Sequence, residues 1–82
     1  MKASKRKLAN GIYILYSLTE NNGEYTISCI EENKIENKTS IFRVDNIAVS
    51  KSKSKRIYGL IIKNKVFGET LLDVIYNLIA EN

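Results

Sequence analysis

Apolar and polar residues alternate along three successive stretches in the first half of the chain, at 11–18, 24–31 and 39–49. The apolar positions that would share one side are Ile12, Ile14, Tyr16, Leu18, then Tyr25, Ile27, Cys29, and finally Phe42 and Val44. Alternation with a period of two is typical of β-strands that bury one face. Asn22-Gly23 lies between the first two stretches and predicts a tight hairpin. The pattern therefore predicts a three-stranded antiparallel meander.

The period of the pattern changes near the end of the chain and becomes helical from Thr70. The apolar positions of this segment fall on one stripe and are Leu71, Leu72, Ile75, Leu78 and Ile79. Such a stripe is typical of a helix that packs one side against a core. Thr70 and Asp73 have the spacing of a capping box, so we expect the helix to begin at Thr70.

Residues 51–64 fit two structures. Ile57, Leu60 and Ile61 form a helical stripe, and Ser50 could be the N-cap of that helix. Against a helix, lysines crowd its positive end and Gly59 lies inside it. The isoleucines of this segment also suit a strand. Periodicity alone leaves both structures open.

The C-terminal half resembles a family of short proteins from low-GC bacteria that is known as a domain of unknown function. The matching residues are Asp45-Asn46-Ile47, Val66, Leu71, Asp73, Val74, Ile75 and Leu78-Ile79. The sequence departs from that family at Gly68 and Thr70, where Pro or His is expected, and in its Ser/Lys-rich segment 51–56. The resemblance implies a sheet followed by two short helices, so it favours a helix at 51–64, and it implies no activity.

Together these observations predict an α+β fold, in which a three-stranded meander is followed by two short C-terminal helices packed on one face. Residues 1–10 are polar and basic and have no period. We expect them to form a flexible basic arm and residues 11–82 to form a single domain.

Composition argues against an enzyme. The 82 residues include no histidine, so the commonest general base and metal ligand is missing, and we expect no cofactor and no metal. Cys29, the one cysteine, lies in the middle of a predicted strand and should be a small buried hydrophobe. A single cysteine excludes an internal disulfide and indicates a reducing, cytoplasmic location. No segment approaches the roughly 20 apolar residues of a membrane span.

The net charge of +4 is unevenly distributed. Basic residues cluster near the start of the chain and again after Ser50, and the candidate contacts to phosphates or to a partner are Lys5, Arg6, Lys7, Lys51, Lys53, Lys55 and Arg56. Lysine at this density neutralises nucleic-acid phosphates. The alternative is a solvated surface in a chain rich in Lys, Ile and Asn. Because only three arginines are present, any nucleic-acid binding should be weak and non-specific.

Tyr58 and Ile62 form a second candidate surface if 51–64 is a helix. They would share a stripe with lysines, away from Ile57 and Ile61. Exposed apolar residues at such a position indicate an association surface. The alternatives are that both sides of this segment are buried within the domain, or that the segment is a strand.

These features predict a small non-enzymatic regulatory or accessory protein. It would bind a larger DNA-acting protein, such as a recombination or transcription factor, and hold its basic segments near phosphates. The alternative is a homodimeric interaction module with no role on nucleic acid. The salt dependence of binding distinguishes these two functions, because phosphate contacts weaken steeply as the salt concentration rises and apolar contacts do not.

Overall fold

A computed structural model describes residues 2–81, apart from the side chains of Lys2 and Lys5. In chain order, the elements are β1 (Lys2–Ala9), β2 (Ile12–Asn21), β3 (Glu24–Asn33), β4 (Lys38–Ile47), α1 (Lys51–Lys63) and α2 (Gly68–Ala80). The predicted α+β class is confirmed, because an antiparallel sheet is followed by two C-terminal helices.

The strands follow one another across the sheet in the order β1-β2-β3-β4, and each pairs antiparallel with the next. The predicted hairpin at Asn22-Gly23 is confirmed. Both residues have positive φ, 54° and 82°, which asparagine and glycine adopt more readily than other residues. β2 and β3 pair along their whole length, with Tyr16 opposite Cys29.

One face of the sheet carries the core, and both helices cover it. Seven of the nine strand residues that the alternation placed on this face are buried, namely Ile14, Tyr16, Leu18, Tyr25, Ile27, Cys29 and Val44, and Ile47 joins them. The other two, Ile12 and Phe42, are only half-buried. α2 lies on β4 and β3, and α1 lies beside α2. No described helix covers the opposite face of the sheet.

The expectation of three strands preceded by a flexible arm is wrong. Within residues 2–81 the sheet has four strands, and residues of the expected arm form β1. Gly11, with a φ of 73°, reverses the chain so that Ala9 lies opposite Ile12. Pairing supplies hydrogen-bond partners to the backbone of β2, which outweighs the unfavourable strand propensity of lysine. Met1, also part of the expected arm, lies outside the described residues.

α1 confirms the helical interpretation of 51–64 and ends at Lys63. Ser50 is its N-cap, since the Ser50 Oγ accepts a hydrogen bond from the backbone N–H of Lys53 at 3.1 Å. Gly59 is exposed, and a side chain there would meet nothing within 4 Å. The glycine therefore destabilises the helix only through the low helix propensity of glycine itself.

α2 begins at Gly68, two residues before the predicted start. The Thr70 hydroxyl donates to the backbone oxygen of Phe67, so it does not cap a free amide. The cap comes from the sheet instead, because the Glu31 carboxylate of β3 accepts a hydrogen bond from the Gly68 N–H. A Cβ atom at Gly68 would lie 1.9 Å from the Phe42 ring, so any other residue here requires that ring to move.

Candidate interaction surfaces

Tyr58 belongs to the core, so the prediction that it forms part of an exposed association surface is wrong. Its side chain is 5% exposed, and its hydroxyl donates to the backbone oxygen of Tyr16 at 3.2 Å. Ile62, the other predicted interface residue, is half-buried and packs against the core. Tyr58 and Ile62 therefore do not form the exposed apolar stripe that the prediction required.

The error came from placing the buried side of α1 around Ile57, Leu60 and Ile61. The buried residues are Ser54, Ile57, Tyr58 and Ile61, which is the i, i+3, i+4, i+7 spacing of a helix face. Ser54 is fully buried. Its hydroxyl is not left without a partner there, because it donates to the Lys51 backbone oxygen at 2.7 Å. A serine at the first position of the stripe hid the pattern, since sequence periodicity counts it as polar.

Two members of the predicted basic site make contacts within the fold. The Lys53 Nζ donates to the backbone oxygens of Ile79 and Glu81, at 2.7 and 2.8 Å. These carbonyls lie at the end of α2, where the helix dipole favours a positive charge. Arg56 lies 3.9 Å from the Glu81 carboxylate. Lys53 thus joins α1 to the end of α2 through two hydrogen bonds within the fold.

The remaining basic candidates do not gather on one surface. Lys51 and Lys55 are exposed and line a shallow cleft of about 260 Å³ beside the β2–β3 hairpin. In β1, Arg6 lies opposite the buried Ile14 of β2, whereas Lys7 lies opposite Tyr13, so the two point to opposite faces of the sheet. The backbone of Lys5 pairs with that of Leu15, and the structure does not describe the Lys5 side chain. No continuous basic groove joins these described side chains.

The uncovered side of the sheet carries a feature that sequence reasoning missed. Leu15, Ile30 and Ile41 are direct cross-strand neighbours on β2, β3 and β4, so they form one apolar row. Ile41 is 70% exposed, and the other two are half-buried. We call this side the open face, and the residues of it used below are Lys7, Tyr13, Leu15, Ser17, Thr26, Ser28, Ile30, Ile41 and Arg43. Alternation in all three stretches could have revealed it, because the second side of each also contains apolar residues.

Polar groups border the apolar row on both sides. Toward one end of the strands, the Ser17 and Ser28 hydroxyls are hydrogen-bonded to each other, and Arg43 lies beside them. The Arg43 guanidinium is held by the Asp45 carboxylate at 3.0 Å. Toward the other end, the Lys34 ammonium lies 5.5 Å from the centre of the Tyr13 ring. The open face therefore has an apolar centre and a charged border.

Burial favours the neutral forms of two titratable side chains, Cys29 and Tyr16. Burial, with a smaller effect of the nearby Glu31 carboxylate, raises the pKa of the Cys29 thiol to about 11. Burial likewise raises the pKa of Tyr16 to about 12. Cys29 is thus a protonated thiol at neutral pH, and its predicted burial is confirmed. Among the residues that the structure describes, no group of three or more acidic, cysteine or histidine side chains could hold a metal ion.

Comparisons with known proteins give no assignment. Scans against protein-family models, curated proteins and solved structures found no match to this chain. The resemblance to a domain of unknown function stays a prediction. Within residues 2–81, no helix is long and apolar enough to cross a membrane.

Proposed function

We propose that this protein is a small non-enzymatic accessory factor that binds a larger, DNA-acting protein through its open face. The observation that supports this proposal is the apolar row of Leu15, Ile30 and Ile41 on a side of the sheet that no described helix covers. A solvated face of an antiparallel sheet normally carries polar residues at such positions. An apolar row bordered by charges resembles the centre and rim of a protein–protein interface.

The row is suited to binding because it is rigid before a partner arrives. Ile30 and Ile41 are β-branched, and the paired strands hold their backbones in place. Little conformational entropy would then be lost on association. Full burial of an aliphatic side chain contributes about 1.5–3 kcal/mol relative to exposure. Covering Ile41 with a partner would therefore make a favourable contribution to the free energy of binding.

The basic residues that are free of contacts to α2 would supply the phosphate contacts of the proposal. Lys7 is on the same side of the sheet as Tyr13, and Lys51 and Lys55 are exposed near the hairpin. Because these charges are dispersed, contact with duplex DNA should be weak, independent of sequence and sensitive to salt. Replacing Lys51 and Lys55 by serine should weaken it equally on every duplex.

The proposal is tested by a photo-crosslinking amino acid placed at position 41, in the cells that make the protein. A matched control carries the same group at Asn77, an exposed position on the solvent side of α2. We expect position 41 to link to one larger DNA-acting protein and position 77 not to. The variant with Ile30→Thr and Ile41→Thr should lose that partner while it keeps its melting temperature. Equal crosslinking from both positions, or a partner retained by the variant, would contradict the proposal.

A further inference from the structure

The two edges of the sheet are protected unequally. β1 carries four basic residues among its eight, and lysine on an edge strand discourages pairing with another chain. β4, the opposite edge, carries three charged residues among its ten, namely Lys38, Arg43 and Asp45, and Asp45 holds Arg43. Among the described residues, no strand lies on the outer side of β4. β4 has a bulge at Asp45 and Asn46, where Asn46 has a φ of 59°. The N–H and C=O groups that can accept a further strand are therefore those of the regular part before the bulge, residues 38–44.

Two exposed apolar residues of α2 lie above this edge. Successive residues turn by about 100° around a helix, so Leu72 and Tyr76 lie on one side of the buried Ile75, and Val74 and Leu78 lie on the other. Leu72 is 47% and Tyr76 60% exposed, whereas Val74 and Leu78 are half-buried. Because α1 is the described helix beside α2, it covers the side of Val74 and Leu78. Leu72 and Tyr76 must then project past the free edge of β4, on which α2 packs.

The positions of these residues fit a second copy of the same helix. α2 runs from Gly68 to Ala80, so Val74 is its midpoint, and Leu72 and Tyr76 lie two residues to either side. An antiparallel copy related by a two-fold axis near that midpoint places Leu72 on the partner's Tyr76 and Tyr76 on the partner's Leu72. A two-fold interface requires this kind of self-complementarity.

We propose that this protein forms a two-fold symmetric dimer in which β4 pairs antiparallel with β4 of a second copy and the two α2 helices pack side by side. The sheets of the two copies then continue into one another, with all the helices on one face. This inference does not depend on the proposed function, because the open face remains uncovered in such a dimer.

Charge and size agree with this arrangement. α2 contains no basic residue, and its acidic residues do not meet those of the second copy. In the antiparallel alignment, Glu69 lies opposite the partner's Ile79, and Asp73 lies opposite the partner's Ile75. The proposed contact consists of one strand edge and two exposed side chains of α2, which is small beside the roughly 800 Å² that each partner buries in a typical interface. We therefore expect a weak dimer that dissociates on dilution.

Sedimentation of the native chain between about 1 μM and 1 mM tests the dimer, since this range spans micromolar to millimolar dissociation constants. The mass should rise from one chain to two. The variant with Leu72→Lys and Tyr76→Lys should associate at least tenfold more weakly and melt at an unchanged temperature, since both side chains are exposed. Asn77→Lys adds the same kind of charge on the solvent side of α2 and should dimerise normally. A native chain that stays monomeric, or a double variant that dimerises like it, refutes the proposal.

Disulfide trapping tests the antiparallel geometry. A mixture of Leu72→Cys and Tyr76→Cys chains should give the mixed disulfide in preference to either symmetric one, and buried Cys29 should not compete. Dominant linkage between two Leu72→Cys chains would overturn the alignment. The single variant Ile30→Thr alters the open face on β3 and not the pairing strand β4, so it should dimerise normally. Failure of the dimer and failure of the open-face proposal therefore give different results.

Discussion

The hydroxyl of Tyr16 joins the sheet to the connection between the two helices, and its removal is a direct test of how the fold is held together. The side chain is fully buried, and its Oη donates to the backbone oxygen of Val66 at 2.8 Å. Val66 lies between α1 and α2 and is itself 8% exposed. Tyr16→Phe keeps the ring and deletes only this donor, so the Val66 oxygen loses its partner in a place that water scarcely reaches.

The expected cost follows from that burial. A buried polar group left without its partner costs about 1–3 kcal/mol, more than the average net value of a hydrogen bond. In a domain of this size, each kcal/mol lowers the melting temperature by about 4–8 °C. We therefore expect Tyr16→Phe to melt about 4–24 °C below the native chain.

Thermal unfolding followed by circular dichroism measures this difference at neutral pH. Tyr76→Phe is the matched control, because its side chain is 60% exposed and its loss of a hydroxyl should change stability by less than about 0.5 kcal/mol. Tyr58→Phe should fall between the two, since its hydroxyl donates over a longer distance of 3.2 Å. If Tyr16→Phe melted no lower than Tyr76→Phe, the hydrogen bond to Val66 would not stabilise the fold and our reasoning would be wrong.

Alkaline pH provides a second readout of the same hydroxyl. Burial raises the pKa of Tyr16 from 10.0 to about 12, so between these values the folded state keeps a proton that the unfolded state releases. Stability is therefore fully present below pH 10 and falls as pH rises toward 12, by up to about 1.4 kcal/mol per pH unit for this one proton. Urea unfolding at several alkaline pH values should show a shallower decline for Tyr16→Phe than for Tyr76→Phe. Equal declines would contradict the assignment to Tyr16.

Three further predictions concern the other contacts of the fold. Lys53→Met should lower the free energy of unfolding by about 1–2 kcal/mol in urea titrations, because it removes the ammonium from the end of α2, whereas exposed Lys51→Met should not. Gly68→Ala should cost about 1–3 kcal/mol, since its Cβ would overlap the Phe42 ring; an unaffected melting temperature would show that this ring moves freely. Cys29→Ser should cost about 1 kcal/mol and leave partner binding intact, and loss of binding in a folded variant would assign the thiol a function.

The sequence by itself predicted the parts of the fold whose signals are local. The alternation of Ile14, Tyr16 and Leu18 placed these residues on one buried face, because side chains of a strand point alternately to its two sides. Asn22-Gly23 predicted a hairpin through the backbone freedom of its own two residues. The same dipeptide at Asn10-Gly11 marks the turn between β1 and β2, and it could have revealed β1 despite its lysines.

Only the tertiary structure showed which side chains are buried or hydrogen-bonded through packing between helices and strands that are distant in the sequence. Tyr58 looked exposed from α1 alone, and the backbone of Tyr16, 42 residues away, makes it part of the core. Lys53 looked like a phosphate ligand until α2 brought two carbonyl oxygens to its ammonium.

The surfaces now proposed for association depend on neighbours in the same way. Leu72 carried the same periodic signal as the buried Leu71, yet it is 47% exposed where α2 packs on β4 and β3. Similarly, Ile41 is exposed because both helices pack on the other side of the sheet. The period of a sequence determines which residues share a side of a helix or strand, but only the packing of distant elements determines which side is covered.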